Sequence, residues 1–230
     1  MKIRIKFTKT GSLRFIGHLD VMRYFQKAFR RAKVDIAYSQ GFSPHQILSF
    51  AAPLGIGLTS EGEYLDAEFH TTKSSKEMIE MINQCMVEEI QIKEFKLLDD
   101  NAANAMSSVA AADYVVTIKE EYYDETFFNQ LEEFGKQSVI SIVKKTKRSE
   151  KEMDIKPMIY ELRREGENSV FMKVATGSVE NLKPELVMKA YCDFCKKEWK
   201  QFGFMTKRLE TYLFDKEKGY LPLGAIGEDI

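Results

Sequence analysis

The first thirty-two residues, "MKIRIKFTKTGSLRFIGHLDVMRYFQKAFRRA" (Met1–Ala32), change their hydrophobic period partway along, and that change decides the fold. Ile3, Ile5 and Phe7 alternate with Lys2, Arg4 and Lys6, the period-two pattern of a half-buried strand over about 2–8. Beyond Thr10-Gly11 the apolar residues Leu19, Met22, Phe25, Ala28 and Phe29 recur at three- and four-residue steps, which predicts one amphipathic helix over 18–32. A loop "YSQGFSPHQ" then leads into a strand at 46–52, a glycine-rich connection "PLGIGLTSEG", and a strand "EYLDAEFH" at 63–70. "SSKEMIEMINQCM" reads as a serine-capped helix and "EIQIKEFKLL" as a fourth strand. The order βαββαβ is that of the ferredoxin-like split-βαβ unit.

The same order recurs downstream. "YVVTIKEE", "ETFFNQLEEFG" and "SVISIVKKT" read as strand, helix and strand, followed by two more extended runs. A helix that can begin at Pro184 and a last strand "MTKRLETYLF" complete the series. The expectation is an α+β protein of two tandem ferredoxin-like (βαββαβ) domains with antiparallel sheets. Its divisions are 1–98, a small-residue linker at 99–112, 113–214, and a loose tail at 215–230. A length of 230 residues agrees with two domains of about 100 residues each.

No apolar run approaches the roughly 18 residues of a membrane span, so no membrane partner is expected. The alternating N-terminus reads as a strand and not a signal peptide, and three cysteines suit a reducing compartment, so the chain is expected in the cytoplasm. The net charge of −1 conceals segregation. Residues 1–53 hold ten Lys or Arg against two Asp, whereas residues 54–135 hold five basic and eighteen acidic side chains. Basic faces of this kind suit a polyanion.

Around the loop after the first helix, "LRFIGHLDVMR" and "AYSQGFSPHQILSFAAPLGIG" resemble a bacterial family of unknown function, the radical-SAM-linked proteins, encoded beside or fused to a radical SAM enzyme. "DIKPMIYEL" and "GSVENLKPELVMKA" are similar to the family's second-domain signatures. The resemblance implies a radical SAM enzyme as partner and supplies no catalytic residues. The three closely spaced cysteines that hold that chemistry's iron–sulfur cluster do not occur in the sequence, so the chain reads as a companion of such an enzyme.

The residues themselves point to RNA, and the expected ligand of the accessory is a tRNA or an rRNA. Arg14 precedes the first helix and His18 begins it, where a helix N-terminus and a guanidinium suit a phosphate; the plainer reading is that Asp20 complements the helix start and His18 bonds locally. Arg23, Lys27, Arg30 and Arg31 gather on one helix side with almost no acidic neighbours, a ridge for a phosphate backbone or simply a solvated face. In the loop, Gly41 and Pro44 make a turn, while Tyr38, Gln40, Phe42 and His45 add stacking rings and polar groups fit for single-stranded RNA. The alternative is a structural loop anchored by Tyr38 and Phe42. Lys144 and Lys145, in "KKTKRSEK", extend the basic surface in the second domain.

In a ferredoxin-like unit Arg14 and His18 lie at one end of a helix of about 22 Å and the loop at the other, so a single His–His active site is not expected. No catalytic residues, metal site or cofactor are assigned, since three scattered histidines and the helical Cys192-x-x-Cys195 lack ligand spacing. Phosphate-binding, dinucleotide and nucleophile-elbow motifs do not occur. The leading expectation is a non-catalytic accessory. A metal-independent endoribonuclease of the tandem ferredoxin-like type, with His18, His45 or Tyr38 as acid–base groups, stays open, as does an adaptor docking a basic partner on its acidic surface.

Overall fold

The computed structural model describes residues 1–124, 126–145 and 150–230, with the side chains of residues 144, 145, 150 and 151 excepted. The fold is mixed α+β, mostly antiparallel sheet with few helices. Two compact units divide the chain, Met1–Ala110 together with Glu210–Ile230, and Ala111–Leu209.

In the first unit the elements are β1 (Lys2–Lys9), α1 (His18–Arg31), β2 (Leu48–Phe50), β3 (Thr59–Glu68), α2 (Ser75–Asn83), β4 (Ile92–Leu97) and α3 (Ala105–Ser108). β1 pairs antiparallel with both β3 and β4, and β2 pairs antiparallel with β3, giving the order β4-β1-β3-β2. Ile3, Ile5 and Phe7 enter the core together with Phe25 and Phe29 of α1 and Phe95 of β4, all of them buried. Phe7 and Phe25 meet edge to face at 4.7 Å between ring centres, the arrangement that ring quadrupoles favour. Leu19, expected on the buried stripe of α1, is exposed, and Val21 is buried in its place. The 3.6-residue period admits either as the first core position, and packing selects Val21.

α1 ends in a Schellman arrangement, with Val34 N–H donating to the Phe29 carbonyl and Lys33 N–H to Arg30. The left-handed position of that motif is filled by Lys33, at φ 52°, and not by glycine. α2 begins with a reciprocal capping box between Ser74 and Glu77.

The expected loose tail corresponds to ordered chain. β10 (Phe204–Asp215) turns into β11 (Gly219–Pro222), which pairs with it antiparallel. Beyond it Leu223 is fully buried, and Glu228 bridges to Leu97 of β4. Mixed polar and apolar residues without a period concealed this, because single residues and not a face are buried.

The second unit contains residues 111–118 of β5 (Val109–Ile118), α4 (Leu131–Gly135), β6 (Ser141–Lys145), β7 (Glu150–Asp154), β8 (Ile159–Glu165), β9 (Ser169–Ala175) and α5 (Pro184–Phe194). β9 lies between β5 and β8, antiparallel to both, while β6 and β7 form a separate hairpin that accounts for the extra extended segment. Residues 204–209 of β10 flank β5, and Arg208 donates to the Tyr114 hydroxyl at 3.0 Å.

The helix expected over "ETFFNQLEEFG" is mostly a 3-10 turn at Phe127–Gln130 followed by the five residues of α4. The Phe127 carbonyl accepts the Tyr191 hydroxyl at 2.6 Å, and the Leu131 N–H donates to Phe128 instead. A tertiary hydrogen bond thus occupies the acceptor an α-helical turn would use.

Candidate nucleic-acid interface

The loop that follows α1 is the tip of a β-hairpin. Tyr38 bridges antiparallel to Gln46, Ser39 N–H donates to the His45 carbonyl at 2.8 Å, and Ile47 N–H donates to Ala37 at 2.9 Å. Residues 40–44 form the tip. Ser39 Oγ and His45 Nδ1 share a hydrogen bond at 2.9 Å, and the His45 N–H donates to the same oxygen at 3.1 Å, so these two residues close the hairpin below its tip. Gly41 sits at φ 110°, a conformation that L side chains rarely adopt, although a Cβ there would meet no neighbouring atom. The Phe42 ring is wholly exposed and Tyr38 is 43% exposed, so neither anchors the loop in the core. Gln40 is exposed as well.

Both arms bond to Glu68 of β3 through the main chain, and the buried Gln46 ties the hairpin to α1. Its Nε2 donates to the Gln26 carbonyl of α1 at 3.2 Å and to the Tyr38 hydroxyl at 3.3 Å. Its Oε1 has no hydrogen-bond partner among the described residues. The hairpin is therefore docked on the middle of α1, not held away at the helix end. Gln26 adjoins Lys27 and lies one helical turn before Arg30, so the basic ridge runs beside the hairpin base.

Arg23, Lys27, Arg30 and Arg31 are all exposed. Arg23 pairs at 3.4 Å with Asp20, and Arg31 donates to the Cys85 carbonyl at 2.8 Å. Lys27 and Arg30 have no acidic partner within ion-pair distance among the described residues. Two uncompensated cations on α1, with Tyr38 tied near Gln26 through Gln46 and Phe42 exposed at the hairpin tip, offer groups for both phosphates and bases.

Arg14 and His18 belong elsewhere. Arg14 lies in the 3-10 turn Gly11–Phe15, where its carbonyl accepts the Gly57 N–H at 2.7 Å and its guanidinium covers the Phe15 ring at 4.8 Å. His18 opens α1 with its ring set edge-on against Phe50 at 5.0 Å. Burial lowers the imidazole pKa, with Glu63 opposing the shift. Below this turn Lys9, itself buried, donates to the Ile16 carbonyl at 3.0 Å. "LRFIGHLD" is thus tied into its surroundings by packing and main-chain bonds, apart from the hairpin's exposed groups.

Lys144 and Lys145 end β6, opposite Lys151 and Glu150 in register. Their side chains and residues 146–149 lie outside the described residues. Sequence reasoning missed Gln46 as a determinant of the site; the signal was its place in the run "SPHQILSF", where a polar residue enters a strand. Cys192 is buried on α5, and its thiol is pushed up to about 11 mainly by that burial. Among the described residues no group of His, Cys, Asp and Glu is arranged to hold a metal, and no helix is long and apolar enough to cross a membrane.

The profile of an uncharacterised protein family conserved in bacteria, DUF2344, matches residues 2–184. No curated protein matches the chain. Among solved structures, a chain described as "Crystal Structure of a Cbf5-Nop10-Gar1 Complex" is similar at 9% identity and a TM-score of 0.46. The similarity covers 91% of this chain and 48% of that one, so the chain spans about half the length of the structure it matches.

Proposed function

This chain belongs to the DUF2344 family of uncharacterised bacterial proteins, and we propose that it is a non-catalytic RNA-binding protein that presents a tRNA or rRNA to a partner enzyme of the radical SAM class. One observation carries the RNA reading: the Gln46–Gln26 bond docks a hairpin with an exposed Phe42 beside the uncompensated Lys27 and Arg30. Phosphates on the ridge supply sequence-independent affinity, and an unpaired base stacks on Phe42 or Tyr38. The radical SAM partner rests on the resemblance of "LRFIGHLDVMR" and "AYSQGFSPHQILSFAAPLGIG" alone.

Each unit reads as a ferredoxin-like domain, a reading supported by the antiparallel order β4-β1-β3-β2 in the first and β10-β5-β9-β8 in the second.

Fluorescence anisotropy with labelled single-stranded RNA and bulk tRNA, at two salt concentrations, tests the proposal. Wild type is expected to bind with a salt-dependent affinity, and the combined change of Arg23, Lys27, Arg30 and Arg31 to Glu is expected to abolish binding while the protein stays folded by circular dichroism. Equal affinity of the two proteins would falsify the assignment of the ridge. Cleavage of the labelled RNA in the presence of a chelator would favour the endoribonuclease reading instead.

A further inference from the structure

A cavity of about 370 Å³ lies within the first unit, beside the base of the hairpin, whose Ile47 helps to line it. It opens over the sheet face that carries Lys2, Asp66 and Glu68, where Lys2 stands opposite Glu68 in register and Ser49 opposite Asp66. The segment after β4 contributes Leu98, Ala102 and Asn104, and Ile47 adds a further apolar side chain.

The polar groups that line it are unevenly engaged. Asp66 is spoken for: both oxygens accept from Arg4, and one also accepts the Ala105 N–H at 2.6 Å. Glu68, half-buried beside it, has no ion pair or side-chain hydrogen bond among the described residues. Asn104 accepts the Ser107 N–H on its Oδ1 at 2.9 Å, which leaves its Nδ2 donors without an acceptor among those residues. The Ser49 hydroxyl is likewise without a partner there. Lys2 Nζ donates once, to the Asp100 carbonyl at 2.6 Å, and keeps two donors.

We infer that this cavity is a binding site for a guanine base, taken as a mononucleotide. A carboxylate accepts from two adjacent donors at once, and guanine presents N1–H and N2–H₂ side by side on its Watson–Crick edge. Glu68 is the only carboxylate lining the cavity that is free to do this among the described residues. Guanine's O6 and N7 are acceptors, matched by the Asn104 amide and the Ser49 hydroxyl. The apolar Ile47, Leu98 and Ala102 suit the faces of a planar ring, and the volume lies in the range of small-molecule sites. The ammonium of Lys2 supplies a cation for the nucleotide phosphate. Adenine would set its N1 lone pair against the carboxylate, and cytosine offers it one amino group beside an acceptor. A site built from Glu68 therefore selects guanine.

Isothermal titration with 5′-GMP, 5′-AMP and 5′-CMP on the full chain tests this. GMP is expected to bind at least tenfold more tightly than either competitor. Glu68→Gln, which keeps shape but puts an amide where two acceptors stood, is expected to remove that preference and to weaken GMP by about tenfold or more. Asn104→Asp keeps the Oδ1 that accepts from Ser107 while removing the amide donor, so it is expected to weaken GMP without lowering the melting temperature. No binding of GMP at millimolar concentration by a folded wild type would overturn the inference. Equal binding of the three nucleotides, insensitive to Glu68→Gln, would overturn it too, since only the phosphate would then be held. Ile47 belongs to both the cavity lining and the hairpin base, but the side chains changed here, Glu68 and Asn104, are neither on the ridge nor at the hairpin tip, so titrating the same variants with single-stranded RNA distinguishes a failure of this site from a failure of the RNA reading.

Discussion

The guanidinium of Arg4, fully buried, meets both carboxylate oxygens of Asp66, with Nε at 2.8 Å and Nη2 at 2.9 Å. Its remaining donors reach the carbonyls of Leu223 at 3.0 Å and Ala103 at 3.1 Å. One side chain thereby ties β1 to β3, to the segment before α3, and to the chain beyond β11. Arginine's planar fork suits it to four acceptors at once, which lysine could not match.

Removing one partner should be costly. Arg4→Met is expected to lower the unfolding free energy by about 3–5 kcal/mol, because the Asp66 carboxylate is left without its counter-charge. Arg4→Met with Asp66→Leu should recover part of the loss and not all, since the Ala103 and Leu223 carbonyls and the Ala105 N–H still lack partners. Urea denaturation of the three proteins checks both statements; a single mutant as stable as wild type would dismiss the pair as a structural tie.

Three substitutions separate the hairpin's backbone from its side chains. Gly41→Ala is expected to destabilise by about 1 kcal/mol, through the positive φ and not through a clash, since the added Cβ meets open space. Phe42→Ala should leave stability unchanged, its ring being wholly exposed, but weaken single-stranded RNA by about 1–3 kcal/mol through lost stacking. That loss should vary little with salt, in contrast to the loss from Lys27→Ala or Arg30→Ala. His45→Ala should mainly loosen the hairpin, because the ring's contacts are with Ser39 and the Ser43 carbonyl. Anisotropy and thermal melts on the same samples discriminate these cases.

The C-terminal end of α1 offers a stabilising change. Lys33 occupies a left-handed position at φ 52° that glycine takes without a Cβ penalty. Lys33→Gly is expected to raise the unfolding free energy by up to about 1 kcal/mol, as measured by denaturant titration. A loss of stability would mean that the glycine's unfolded-state entropy outweighs the relief.

His18 should make stability depend on pH. Burial against Phe50 lowers its pKa below the ordinary 6.5, so the unfolded chain takes up the proton first. The stability that His18 contributes as a neutral ring is therefore complete above pH 6.5 and is lost as the pH falls toward its folded value. His18→Gln should flatten the stability profile below pH 6.5, and an NMR titration of the wild-type ring should find it deprotonated at pH values where a free histidine is charged.

Much of the first unit was legible in the linear chain. The alternation around Ile3, Ile5 and Phe7 and the three-four spacing of Phe25, Ala28 and Phe29 are local periodicities, and periodicity decides which face is buried before any partner is known. The same holds for the serine cap of α2, the Pro184 start of α5 and the turn at Gly41-Pro44. Ridge residues Arg23, Lys27, Arg30 and Arg31 follow from helical spacing alone.

Tertiary structure decided what periodicity does not encode. Arg4 alternates with Ile3 and Ile5 as a solvent-facing residue would, yet it is fully buried because Asp66 and two carbonyls arrive from distant points of the chain. Gln46 looks like a polar strand residue, and its reach to Gln26 ties the hairpin to the basic helix. The shortened α4 depends on the Tyr191 hydroxyl, sixty-four residues from Phe127. In each case the deciding energy is a hydrogen bond between groups far apart in sequence, worth little in water and much once both are buried, and such pairings leave no local trace in the residues that make them.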